Sequence, residues 1–200
     1  MHAKTYAAAA ASAGLLAGLA VAAPAGAAEP AAPAAAPTVA TYAATWDRTW
    51  RNGTVRTDTT DLVQGTAAGG RNVAQVGFPS IVLPGKKIKK IEVSLYFRHW
   101  WYGSGGAADI GVHGNAVKPA TFTYSGSLTV NPWPRYTQKW TELPASWLPY
   151  FQSGTNKGIT LGGKAQASTH PVFYGRAAGI GDSYAWARPM LRVTYEPAAS

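Results

Sequence analysis

KKIKKIEVSLYFRHWWYGSGGAADIGVHG, residues 86–114, decides the fold. In its first half Ile91, Val93, Leu95, Phe97, His99 and Trp101 share one parity. Lys90, Glu92, Ser94, Tyr96, Arg98, Trp100 and Tyr102 take the other. Alternation with period two, rich in β-branched and aromatic residues, marks a half-buried strand. The run from Gly103 to Gly106 tolerates positive φ and predicts a turn. Beyond it a second strand resumes at Ala108, with Ile110 and Val112 inward and Asp109 and His113 outward. The two arms read as a long hairpin at the middle of an antiparallel sheet.

The same grammar recurs along the chain. Strand signals fall at residues 61–64, 73–78, 81–83, 121–124, 127–130, 158–162, 172–174 and 189–195, divided by Gly, Pro, Asn and Asp. Residues 131–136 (NPWPRY) read as irregular, because Pro132 and Pro134 lack a backbone donor. Trp140–Phe151 is the one helical candidate, opened near Thr141 or Pro144 and stopped by Pro149. About nine to eleven short strands with almost no helix predict an all-β fold, an antiparallel β-sandwich or jelly roll.

The 200-residue chain divides into three parts on composition. Residues 1–27 predict a signal peptide: Lys4, an apolar run of small residues, then Ala25-Gly26-Ala27 as a cleavage site. No twin-arginine pair precedes that run, so a Sec-type route and an extracellular location are expected. Residues 28–40 are an Ala/Pro-rich linker, and residues 41–197 the sandwich domain. No other apolar run approaches 18 residues, so no membrane association is expected after cleavage. Cysteine is absent, which excludes disulfides, thiol catalysis and Cys-ligated metal. Eight Trp, ten Tyr and five Phe must then supply the bulk of the core.

The net charge of +9 fits anionic wall polymers or acidic polysaccharides as partners. It equally fits a soluble surface, with Lys86, Lys87, Lys89 and Lys90 discouraging edge pairing. Nucleic acid is not expected as a partner in an exported protein.

Catalytic signals are sparse. A glycosidase needs two carboxylates about 5–5.5 Å or about 6.5–9.5 Å apart. Glu92 and Asp109, on the two arms of the expected hairpin, are not directly opposite. No G-x-S-x-G elbow is present, and Ser104, Ser125 and Ser127 sit in Gly-rich turns with no base nearby. Asp109 and His113, four residues apart on a strand, lie roughly 13 Å apart, too far for one ion. No cofactor is expected, though loop carbonyls leave room for a structural Ca²⁺.

Aromatic stacking is the chemistry the composition favours. Sugar rings offer apolar C–H faces to flat side chains, and neighbouring polar groups take the hydroxyls. The candidates are Trp100 and Tyr102, with Tyr96 and Arg98 in line, then Trp133 between two prolines, and Trp46 and Trp50. Asp109 and His113, of outward parity, complete the set. Trp101, Trp147 and Trp186 read as core, and His99 as a core histidine beside Trp101.

The segments 99–114, 86–98, 41–53 (TYAATWDRTWRNG) and 187–195 (ARPMLRVTY) together resemble a jelly-roll β-sandwich surface module. Such modules occur on exported actinobacterial proteins and on actinobacterial phage tail or fibre proteins, and the last strand is similar in style to DNRLRE-type domains. The resemblance implies a surface or adhesion role, with carbohydrate binding, and it carries no catalytic residues. Three functions therefore stay open: a non-enzymatic carbohydrate- or cell-wall-polymer-binding module, a polysaccharide-degrading enzyme, and a structural adhesion or phage-tail-derived protein.

Overall fold

The structure is a computed structural model, and it describes residues 36–164 and 170–198. The expected signal peptide and most of the linker lie outside the described residues. Within them the fold is all-β, built from antiparallel pairs throughout. The first strand starts at Thr38, so the end of the expected linker is already part of the sheet.

Two layers face each other. In the first, β6 (Lys86–Trp100) is central. One of its edges pairs with β12 (Met190–Pro197) and, further on, with β11 (Gly175–Ala177); the other pairs with β9 (Thr137–Glu142). β1 (Thr38–Ala43) closes this layer outside β12. In the second, β5 (Gly70–Gly77) lies between β2 (Trp46–Arg51) and β10 (Gly158–Leu161). β7 (Gly106–His113) follows β10, and β8 (Ser125–Trp133) follows β7. The two-residue β3 (Thr54–Val55) extends β2.

One strand belongs to both layers. Residues 62–64 of β4 (Leu62–Ala67) pair with β11, and residues 65–67 pair with β5. The change of partner falls at Gly65, whose φ is +80°. A Cβ there would approach the Phe173 carbonyl oxygen to 2.4 Å, so only glycine fits the crossing.

The core lies between the layers. Ile91, Val93, Leu95, Phe97, Leu191 and Val193 of the first meet Val76, Ile110, Val112, Ile159 and Leu161 of the second. Without disulfides this apolar burial carries the stability, at roughly 25 cal/mol per Å².

The expected hairpin does not form. β6 and β7 lie in different layers and share no ladder, so the Gly103–Gly106 run is a crossover. The reason is competition for edges: β9 takes one side of β6, and β11 and β12 take the other. β7 is buried from end to end, because its outer face is also covered.

Two bulges interrupt the alternation in β6. Phe97 pairs with Ala177 but His99 with Arg176, which leaves Arg98 as an extra residue. Likewise Ile88 pairs with Tyr195 and Lys90 with Thr194, leaving Lys89 extra. Each bulge turns two successive side chains outward and moves the next inward residue three places along. The buried positions are accordingly Ile88, Ile91, Val93, Leu95, Phe97 and Trp100.

Smaller differences have local causes. Residues 172–174 form a 3₁₀ turn (Pro171–Phe173) rather than a strand, since Pro171 opens a turn more readily than it joins a ladder. Residues 81–83 and 121–124 are not strands. β8 runs through Pro132 to Trp133, which an edge strand permits because its outer side needs no donor. The helical signal is met by a 3₁₀ turn (Ala145–Trp147) and α1 (Leu148–Gln152).

Candidate functional site

Six of the nine expected site residues are buried. Trp100 stacks on Phe97 at 4.2 Å between ring centroids and is inaccessible to solvent. The bulge at Arg98 turns it inward, and Gly106 and Gly175 make room: a Cβ on either would come within 2.4 Å of its ring. Trp133 meets Phe97 edge-on at 5.0 Å and donates its Nε1–H to the Thr137 carbonyl at 3.1 Å. Its flanking prolines hold it in the core instead of presenting it to solvent.

The outer face of the second layer is covered by residues 115–124. Trp50 donates its Nε1–H to the Ala120 carbonyl at 2.9 Å, and Phe122 meets it edge-on. Trp46 is sealed against His113, with centroids 5.2 Å apart. His113 Nε2 lies 3.0 Å from the Val76 carbonyl, and the Asn115 N–H donates to its Nδ1 at 3.1 Å. Both bonds require the neutral Nε2–H tautomer, and burial lowers the imidazole pKa to about 4. Asp109 accepts from the Ser127 hydroxyl at 2.8 Å and the Lys164 N–H at 2.6 Å. None of these six offers a ring or a polar atom to a ligand. Glu92 and Asp109, weighed as a catalytic pair, lie in different layers, and Glu92 is held by Arg192 in a two-pronged bond of 2.8 and 2.9 Å.

The outer face of the first layer is different. There an aromatic and guanidinium band follows the second half of β6. Tyr96 meets Trp186 edge-on at 4.9 Å, and Trp186 lies 5.9 Å from Tyr184. Trp101 and His99 both meet Tyr174, at 6.3 and 5.9 Å. Arg135 lies 3.4 Å from His99 Nδ1 and its guanidinium covers Tyr136. Trp101 is 57 % exposed, Trp186 52 % and Tyr184 63 %. Trp101 and Trp186, read from the sequence as core, are thus surface residues, and His99 is half-buried. Tyr102 is also exposed, beside His170.

Arg98 serves this face as a scaffold. Its guanidinium pairs with the Asp182 carboxylate and with Asp61, whose second partner is Arg176 at 2.6 Å. Asp182 in turn accepts from the Tyr184 N–H at 2.8 Å, and its carbonyl accepts from Arg188. Arg98 therefore fixes the loop that carries Tyr184 and Trp186. Burial lowers the His99 pKa, with the Arg135 and Arg176 cations adding to the effect, so His99 is neutral at pH 7.

A polar cleft of about 350 Å³ adjoins this network, with Asp47, Thr60, Asp61 and Lys118 among its lining. Asp47 accepts from the Ile180 N–H at 2.7 Å, and burial raises its pKa. Among the described residues no group of three His, Asp or Glu side chains is arranged to hold a metal ion, and no helix is long and apolar enough to cross a membrane.

No protein family and no curated protein matches the chain. Among solved structures, the "Structure of infectious bursal disease virus Gx strain" is similar at 14 % identity and a TM-score of 0.22. The match covers 84 % of this chain and 38 % of that one, so the chain spans well under half of its neighbour's length. So slight a likeness carries no argument about function.

Proposed function

We propose that this protein is an exported, non-enzymatic surface module that binds carbohydrate or an anionic cell-wall polymer across the outer face of its first layer. One observation carries the proposal: Trp101, Tyr136, Tyr184 and Trp186 expose aromatic surface on a face where Arg135 supplies a cation. A contiguous exposed aromatic patch, unlike a scattered single residue, marks a surface that meets a partner. Ring faces stack on sugar C–H groups, and guanidinium donors take hydroxyl, carboxylate or phosphate oxygens. The surface-module resemblance and the signal-peptide pattern point the same way.

Retention of the protein on insoluble polysaccharides and on isolated cell walls tests the proposal. Trp186→Ala and Tyr184→Ala should each reduce retention without changing the melting temperature. If both variants bind every polymer as the parent does, the face is not the site.

A second reading has one observation in its favour: Asp47 and Asp61 line the same cleft. For a polysaccharide hydrolase, Asp47→Asn and Asp61→Asn would abolish release of reducing ends. Absence of any such release by the parent protein removes this reading.

A further inference from the structure

The second layer carries a separate cleft of about 350 Å³, beside the helical turn. Ser125 and Gly126 of β8, Trp147 and Tyr150 of the turn, and Thr155 and Asn156 ahead of β10 surround it. Its size falls within the roughly 300–1,000 Å³ of small-molecule sites. No charged side chain lines it.

The rings are placed by local geometry. Trp147 and Tyr150 are three residues apart, so one helical turn brings both to the cleft. Gly126 has φ +66°, and a Cβ there would lie 2.6 Å from the Trp147 ring. Glycine is therefore what lets the indole approach the strand this closely. Tyr150 remains 54 % exposed, although its carbonyl is tied down by the Asn156 N–H at 2.9 Å.

Polar groups share the cleft. Asn156 is 9 % exposed, and its side-chain amide lines the cleft without a side-chain hydrogen bond to the described protein. The amide is not among the sealed polar atoms, so it faces the solvent of the cleft and is open to a ligand. The Ser125 hydroxyl and the Trp147 indole line the same cleft. A neutral ligand with apolar C–H faces and a rim of hydroxyls matches two rings, an amide, a hydroxyl and an indole N–H.

We infer that this cleft is a subsite for one neutral pyranose ring. The ring stacks on Trp147 and Tyr150, and its hydroxyls bond to the Asn156 amide, the Ser125 hydroxyl and the indole N–H. The subsite does not depend on the aromatic band. Its helix is joined to the start of β6, where Gln152 accepts from the Ile88 N–H, whereas the band follows the end of that strand.

The test uses the full chain labelled with ¹⁵N. The Trp147 indole signal is assigned by its loss in Trp147→Phe, and the dispersion of the other indole signals reports that each variant is folded. The probes are the methyl pyranosides of glucose, mannose, galactose and N-acetylglucosamine. At least one should shift the Trp147 signal saturably, with a Kd of roughly 1–10 mM, as suits a small ligand with few contacts. Asn156→Ala and Tyr150→Ala should each weaken that binding about tenfold, a loss of one polar or stacking contact, and Trp186→Ala should leave it unchanged. The inference is overturned if no probe moves the signal by about 100 mM. It is also overturned if both cleft variants bind as tightly as the parent, or if Trp186→Ala removes the response. Failure on polymers with success on pyranosides would reject the band alone.

Discussion

Lowering the pH from 7.5 to 4.5 should destabilise this domain chiefly through His113, the histidine with the larger shift. In the folded protein its Nε2–H donates to the Val76 carbonyl, and its Nδ1 accepts from the Asn115 N–H. Protonation at Nδ1 would break the second bond and place a charge in a sealed site beside Trp46. The pKa falls from 6.5 to about 4 on folding. The unfolded chain therefore binds the proton more readily, and stability rises with pH. The contribution is complete above pH 6.5 and is lost as the pH falls from 6.5 towards 4. At about 1.36 kcal/mol per pKa unit, the full loss is about 3 kcal/mol, of which about 2.5 is reached by pH 4.5.

Urea unfolding followed by tryptophan fluorescence measures it. With a slope of roughly 2 kcal/mol per M, the midpoint should drop by about 1 M. His113→Gln cannot titrate. Its midpoint will be lower at pH 7.5 but should move far less between the two pH values. Asp47, Glu92 and His99 are present in both proteins, so the difference between the two shifts isolates His113. Equal shifts in the parent and in His113→Gln would refute the assignment.

Three further outcomes follow from the packing. Trp100→Ala should cost about 3–5 kcal/mol in thermal or urea unfolding, as expected for a sealed indole, whereas Trp101→Ala one residue away should cost less than about 1. Gly175→Ala drives a methyl to 2.4 Å from the Trp100 ring and should cost about 1–3 kcal/mol by overpacking, readable as a lower melting temperature. Arg98→Ala leaves Asp61 and Asp182, both nearly buried, without that cation; it should cost about 2–4 kcal/mol at pH 7. A cost below about 1 kcal/mol, the size of an exposed pair, would argue against the buried ion-pair account.

The strand pattern was readable in places where a residue's own neighbours determine its environment. Ile91, Val93, Leu95 and Phe97 alternate in the chain and line the core in the fold. The helical turn at residues 145–152 was also readable, because its proline signals are local. The doublet Trp100-Trp101 showed that one indole must face out, since adjacent strand residues take opposite faces. It could not show which. Likewise nothing local separates the sealed Trp133, flanked by prolines, from the exposed Trp186, flanked by alanines.

Composition and period two thus establish an all-β, disulfide-free sandwich whose stability rests on apolar and aromatic burial. Tertiary structure decided which rings meet solvent. The bulge at Arg98 exists because β11 offers one residue fewer than β6 at that point, and Trp50 is covered because residues 115–124 return across its strand. Both are properties of a distant partner. A strand's sequence states its own alternation, but the register and cover imposed on it come from chain far away.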